Sequence, residues 1–215
     1  MAQQVASAPS PRFEGPAGGK PPIPRRGQQR DIYGALDLGT NNCRLLIARP
    51  NDGGFTVLDA FSRIVRLGHG MSVRGILSQE SMDRAVEALS VCADKLKRRH
   101  VTLARSVATE ACRRAANGRE FVARVKRETG IALEIIAPQE EARLAVLGCH
   151  KLLEPGDGPA LIFDIGGGST ELVLVEPGEP NPRIRAWWPA PWGVVSLTES
   201  EGREAIEGKD RVAAY

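Results

Sequence analysis

The sequence predicts an α/β protein built from two related halves, and three observations carry that prediction. ALDLGTNNCRLLIA (35–48) aligns without a gap on IFDIGGGSTELVLV (162–175), at an offset of 127. Each copy reads as an apolar run, a turn and a second apolar run, the pattern of a β-hairpin. Between the copies lies strong helical periodicity, with Met82, Ala85, Val86, Leu89, Cys92, Ala93 and Leu96 on one face. A like hairpin opening each half implies two related α/β domains whose loops meet in a shared cleft.

Composition narrows the class. The 215 residues are 42% hydrophobic, enough for a packed core. No apolar run approaches the roughly 20 residues that span a bilayer, so no membrane partner is expected. Net charge is only +3, from 29 basic and 26 acidic residues. Arg12, Lys20, Arg25, Arg26 and Arg30 against Glu14 place that excess in residues 1–30. The remainder is nearly neutral, so no specific nucleic-acid partner is expected. Residues 1–30, rich in Pro and Gly, read as a disordered basic tail without the apolar core of a secretory signal. The cysteines at 43, 92, 112 and 149 have no metal-ligand spacing and fit a reducing, cytoplasmic setting.

The elements follow in order. IYGALDL (32–38) and CRLLIARP (43–50) form the first hairpin, and 55–67 extends it into a meander. Residues 78–100 form a helix with Ser78 as N-cap. TLARSVA (102–108) is a strand and ACRRA (111–115) starts a short helix. GREFVARVKRET (118–129) is a helix closed by Gly130. IALEIIA (131–137) is a strand, and Pro138 opens a helix to about Leu153. PGDGP (155–159) is a turn cluster, taken as the domain boundary. The second hairpin, a strand at 183–189 and a helix after Gly193 complete the chain.

The two loops carry matching equipment. Gly39, Gly166, Gly167 and Gly168 suit backbone of positive φ, which frees N–H groups to face an anion. Thr40, Asn41 and Asn42 in one loop, and Ser169 and Thr170 in the other, add polar donors. An aspartate precedes each loop, Asp37 and Asp164, where it could hold Mg²⁺ or a water. Opposed, such loops make a phosphate clamp. Neither GxxxxGK[ST] nor GxGxxG occurs.

These residues resemble the exopolyphosphatase/guanosine pentaphosphate phosphohydrolase (Ppx/GppA) family of the actin-like superfamily. The motifs that carry the resemblance are ALDLGTNNCRLLIA, RLGHGM (66–71), ATEACRRAANGREF (108–121), APQEEARLA (137–145), FDIGGGSTELVL (163–174) and PWGVVSLTE (191–199). They run in the family's order over about residues 32–199. The resemblance implies an RNase H-like, actin-like domain over 31–157, followed by the start of a related domain over 158–215. Fifty-odd residues are too few for a complete second domain.

The resemblance also assigns roles. It makes Glu141, the second acid of QEEAR, the general base, although acids in a first helical turn are common. It makes Asp164 and Glu171 the holders of Mg²⁺, with Asp37 a weaker candidate. Arg44 and Arg113 become the arginines that approach the terminal phosphate, because a guanidinium fork binds phosphate oxygens in pairs. The implied reaction is Mg²⁺-dependent release of terminal phosphate from inorganic polyphosphate, by an acid-anhydride hydrolase. The alternatives are the same chemistry on guanosine pentaphosphate, phosphotransfer as in related kinases, and non-catalytic binding of polyphosphate or nucleotide. A homodimer is left open.

Overall fold

The computed structural model describes residues 31–153, 158–176, 178 and 182–200. The tail (1–30), most of the turn cluster at 155–159 and residues 201–215 lie outside the described residues. The first half opens as β1 (Tyr33–Leu38), β2 (Asn42–Asn51) and β3 (Gly54–Ile64). α1 (Met71–Arg74) and α2 (Gln79–Arg98) follow, then β4 (Leu103–Ala108) and α3 (Glu110–Arg114). α4 (Gly118–Thr129), β5 (Glu134–Ile135) and α5 (Pro138–Cys149) come next. After a 3-10 turn at His150–Leu152 come β6 (Ala160–Ile165), β7 (Thr170–Glu176), β8 (Arg183–Ala190) and α6 (Val194–Ser200).

Five strands form one sheet in the order β3-β2-β1-β4-β5, and three form another in the order β6-β7-β8. In the first, β2 runs antiparallel to β1 and β3, while β1, β4 and β5 are mutually parallel. That order and sense are those of an RNase H-like, actin-like sheet, and the second sheet repeats its opening meander. The repeat holds at the level of single pairs: Asp37 lies opposite Arg44, and Asp164 opposite Glu171. Each loop is closed by the same hydrogen bond, Gly39 N to Asn42 O at 2.9 Å and Gly166 N to Ser169 O at 2.8 Å.

Alternation along β1 and β2 buries Leu36, Leu38, Cys43, Leu45 and Ile47 on one face of the first sheet. α2 and α4 cover that face with Ala85, Leu89, Cys92, Phe121 and Val125. Ser78 caps α2 by accepting from Ser81 N, and Gly130 ends α4 in the left-handed region at φ 77°. Phe121 is 1% exposed at the centre of this core. Phe121→Ala is expected to remove about 3–5 kcal/mol of stability, read from urea unfolding at neutral pH.

The second core is smaller. α5 carries Ala142 and Val146 against Ile162, Val173 and Val175 of β6 and β7. Packing therefore ties α5 to the second sheet, although it follows the first in the chain. The opposite face of that sheet shows Leu161, Phe163, Ile165 and Trp188 to solvent. α6 is tethered back to the first half: Glu199 accepts from Gly70 N at 2.6 Å and from Ser72 Oγ at 2.5 Å.

Several segments differ from the sequence reading. β3 stops at Ile64, because Val65 N and Arg66 N both turn to Asn41 O and Arg66 takes φ 49°. The strand expected over 131–137 is reduced to Glu134–Ile135, since only Val107 and Ala108 of β4 pair with it. Ile131, Leu133 and Ile136 are nevertheless buried. The helix from Pro138 ends at Cys149 and tightens into the 3-10 turn. α1, bracketed by Gly70 and Gly75 at φ 71° and 67°, is too short to show a period.

Candidate active site

A cleft of about 320 Å³ lies where the two hairpin loops face each other. Asp37, Gly39, Thr40, Asn41, Asn42 and Arg44 line it from the first half. Asp164, Gly166, Gly167, Gly168 and Ser169 line it from the second, and Glu110 and Glu141 close it from α3 and α5. Period-2 alternation explains the arrangement: the residues flanking Leu36, Leu38, Cys43 and Leu45 point away from the core, which sends Asp37 and Arg44 cleftward.

The loop glycines serve a purpose different from the one expected. None of Gly39, Gly166, Gly167 and Gly168 has a positive φ. Gly166, Gly167 and Gly168 allow close approach instead. A β-carbon on Gly167 would lie 3.0 Å from Thr40 Cβ and 3.2 Å from Asn41 N. On Gly168 it would lie 2.9 Å from Glu110 Cγ and 3.0 Å from Thr40 Oγ1. The GGG run lets the second loop press onto the first and onto the start of α3.

Glu141 sits one turn into α5, behind Pro138. Burial raises its pKa to about 7; Arg113 opposes the rise, and the negative charges of Glu171 and Asp37 add to it. Arg113 does not line the cleft. It is clamped behind it, donating from Nη1 to Ile136 O at 2.7 Å and to Glu141 Oε2 at 3.2 Å, and from Nη2 to Glu110 Oε2 at 2.6 Å. Arg44, by contrast, is solvent-exposed and open to a ligand.

Three further carboxylates approach from the hairpins. Burial raises the pKa of Asp37, with Arg44 opposing and Asp164 reinforcing. Glu171 is 2% exposed, and its Oε1 is buried with no hydrogen-bond partner. Burial raises its pKa as well, Ser169 opposes, and Asp164 reinforces. Glu171 lies beneath the lining, and Thr170 is diverted, since its hydroxyl donates to Trp192 O at 2.7 Å. Among the described residues no three acidic, histidine or cysteine side chains gather closely enough to hold a metal alone.

Glu110 is the residue that sequence reasoning did not single out. It opens α3, lines the cleft and pairs with both Arg113 and Arg114. The available signal was its spacing: an acid three and four residues ahead of two arginines on one helix.

Two like hairpins set face to face across a cleft, on sheets of RNase H-like order, define the actin-like class. Comparison with known proteins narrows it. The profile of the Ppx/GppA phosphatase family matches residues 46–215. A Haemophilus influenzae relative, provisionally named an exopolyphosphatase, is 35% identical over 150 residues, covering 69% of this chain and 46% of its own. The crystal structure of the Aquifex aeolicus Ppx/GppA family member is 32% identical, with a TM-score of 0.68, over 85% of this chain and 58% of that one. A Cytophaga hutchinsonii exopolyphosphatase structure is 27% identical, with a TM-score of 0.75, over the same 85% and 58%. The chain belongs to the Ppx/GppA phosphatase family. It spans about half the length of the relatives it matches. No helix among the described residues is long and apolar enough to cross a membrane.

Proposed function

We propose that this chain carries the catalytic cleft of an exopolyphosphatase, which hydrolyses the terminal phosphoanhydride of inorganic polyphosphate. One observation carries the reading. Glu141 is a carboxylate whose pKa of about 7 suits a general base at neutral pH, and it faces two opposed anion-type loops. The exopolyphosphatase names of the relatives favour polyphosphate over a nucleotide.

Each residue then has a task. Backbone and side-chain donors of Thr40, Asn41 and Asn42, and of Gly167, Gly168 and Ser169, hold phosphate oxygens; Gly39 N and Gly166 N are spent closing their own loops. Arg44 meets the terminal phosphate. Glu141 removes a proton from the attacking water, and Arg113 fixes the orientation of Glu141. In-line attack needs little more than such positioning and charge neutralisation.

The donor set also fits Mg²⁺. The ion prefers hard oxygen ligands and takes one or two carboxylates, with water and substrate oxygens filling its other positions. Asp164 and Glu171 are the proposed holders, Glu171 through its unpartnered Oε1, and Asp37 approaches from the other loop. When bound, the ion neutralises phosphate charge.

Phosphate release from long-chain polyphosphate tests the reading, with guanosine pentaphosphate measured in parallel. Release that EDTA abolishes and Mg²⁺ restores is the expected result. Faster release from the nucleotide would reassign the substrate. Release unchanged by EDTA would remove the metal from the scheme.

A further inference from the structure

We propose that Glu110 is a positioning residue for this reaction, holding Arg113 by its Nη2 so that Arg113 can give Glu141 only one hydrogen bond. The proposal rests on the hydrolase reading. A guanidinium beside a carboxylate favours a paired, two-bond fork. Arg113 makes no such fork with Glu141. Its Nη1 is divided between Ile136 O at 2.7 Å and Glu141 Oε2 at 3.2 Å, and the longer bond goes to Glu141. Its Nη2, which could complete the fork, is drawn instead toward Glu110 Oε2 at 2.6 Å and makes no bond to Glu141.

The surroundings keep this arrangement fixed. Glu110 is 9% exposed, and a carboxylate so buried is costly unless it is well paired. Its other oxygen accepts from Arg114 Nη1 at 3.4 Å, so the carboxylate is held from two sides. Gly168 packs against it so tightly that a β-carbon there would stand 2.9 Å from Glu110 Cγ. Thus the start of α3 and the start of α5 meet through one guanidinium, and the second loop packs on the Glu110 side chain that holds it. Without the Glu110 charge, Nη2 is free to turn to Glu141. A fork there would hold Glu141 as a paired anion, making it a poorer proton acceptor.

A double-mutant cycle tests this, using the full chain and long-chain polyphosphate. Glu110→Gln keeps the size and removes the charge. It is expected to lower kcat by about 10- to 100-fold, within the range of couplings between residues of one network. KM is expected to stay within about 3-fold, because phosphate contacts are untouched. In an Arg113→Ala background the same substitution is expected to change kcat by less than about 2-fold, since its effect passes through that arginine.

An undiminished Glu110→Gln effect in the Arg113→Ala background would overturn the proposal and place Glu110 directly on substrate or metal. An effect confined to KM would overturn it in favour of a binding role. Should Glu110→Gln fail to fold, Glu110→Asp keeps the charge, shortens the reach by one methylene and enters the same cycle. If the unaltered chain released no phosphate, the hydrolase reading would fall and this proposal with it. Activity in the unaltered chain with additive variants would remove only the proposal.

Discussion

Glu141→Gln is expected to lower kcat for phosphate release by about 100- to 10,000-fold, the usual contribution of a positioned general base. The amide has nearly the same shape and still accepts the Arg113 hydrogen bond, so substrate binding is expected to persist. The pH dependence makes the test sharper. A base acts only when deprotonated, and burial raises Glu141 to about 7. In the unaltered protein kcat/KM is therefore expected to rise tenfold per pH unit below about 7 and to level off above it. That limb should be missing from whatever activity the variant retains.

Stability should move the other way. A carboxyl whose folded pKa lies above its ordinary 4.5 favours the fold when protonated. Its stabilising contribution is full below about 4.5 and is lost as pH rises through about 7. At pH 8 the glutamine variant is accordingly expected to be more stable than the unaltered protein, by about 1–3 kcal/mol in urea unfolding. A residue whose loss abolishes activity and strengthens the fold serves chemistry. Equal losses of both would instead indicate a structural role.

Gly193→Ala is the second large effect. Gly193 lies at the foot of α6, where a β-carbon would come within 2.5 Å of Gly166 O, Gly167 C and Gly168 N. All three are backbone atoms of the second loop, so no side chain can rotate away. The loop is also held there by bonds that must survive the change: Val194 N to Gly166 O at 3.1 Å and Val195 N to Gly167 O at 2.8 Å. Either α6 lifts off, or the GGG loop is pushed toward Thr40 and Glu110, where there is no slack. Overpacking of this kind costs about 1–3 kcal/mol. Because Gly168 N is among the displaced atoms and the loop carries other proposed phosphate donors, activity is expected to fall by about 100-fold or more, as misplacement of about 1 Å can do. Serine at this position should be no better, whereas Gly148→Ala, with open space around its β-carbon, should be harmless.

What could be read from the sequence, and what could not, divides along physical lines. The two hairpins were legible because a duplicated pattern reports twice: Asp37 and Asp164 fall at the same register in both pairs. α2 was legible because an amphipathic stripe and a serine cap are local signals. The purpose of the glycines was not, because close approach to Thr40 and Glu110 involves residues far apart in the chain. Arg113 looked like a ligand for phosphate, yet its guanidinium is held by three acceptors from α3, α5 and the segment between β5 and α5. Thr170 looked like a donor to the cleft until the bend at Trp192 claimed its hydroxyl. In each case the residue type was readable, but its partners depended on how α3, α5 and α6 pack against the loops.

The duplication is not symmetric in charge. At equivalent register the first hairpin presents Arg44 and the second presents Glu171. A phosphate chain lying in the cleft therefore meets different groups in its two directions. The exchange of cation for anion gives the cleft a polarity: Arg44 is exposed and offers its charge to bare phosphate oxygen, whereas Glu171 is buried and sets a negative charge behind the opposite wall. On the proposed reading, such a cleft distinguishes the end of a polymer from its middle by charge placement alone, without recognising any base or sugar.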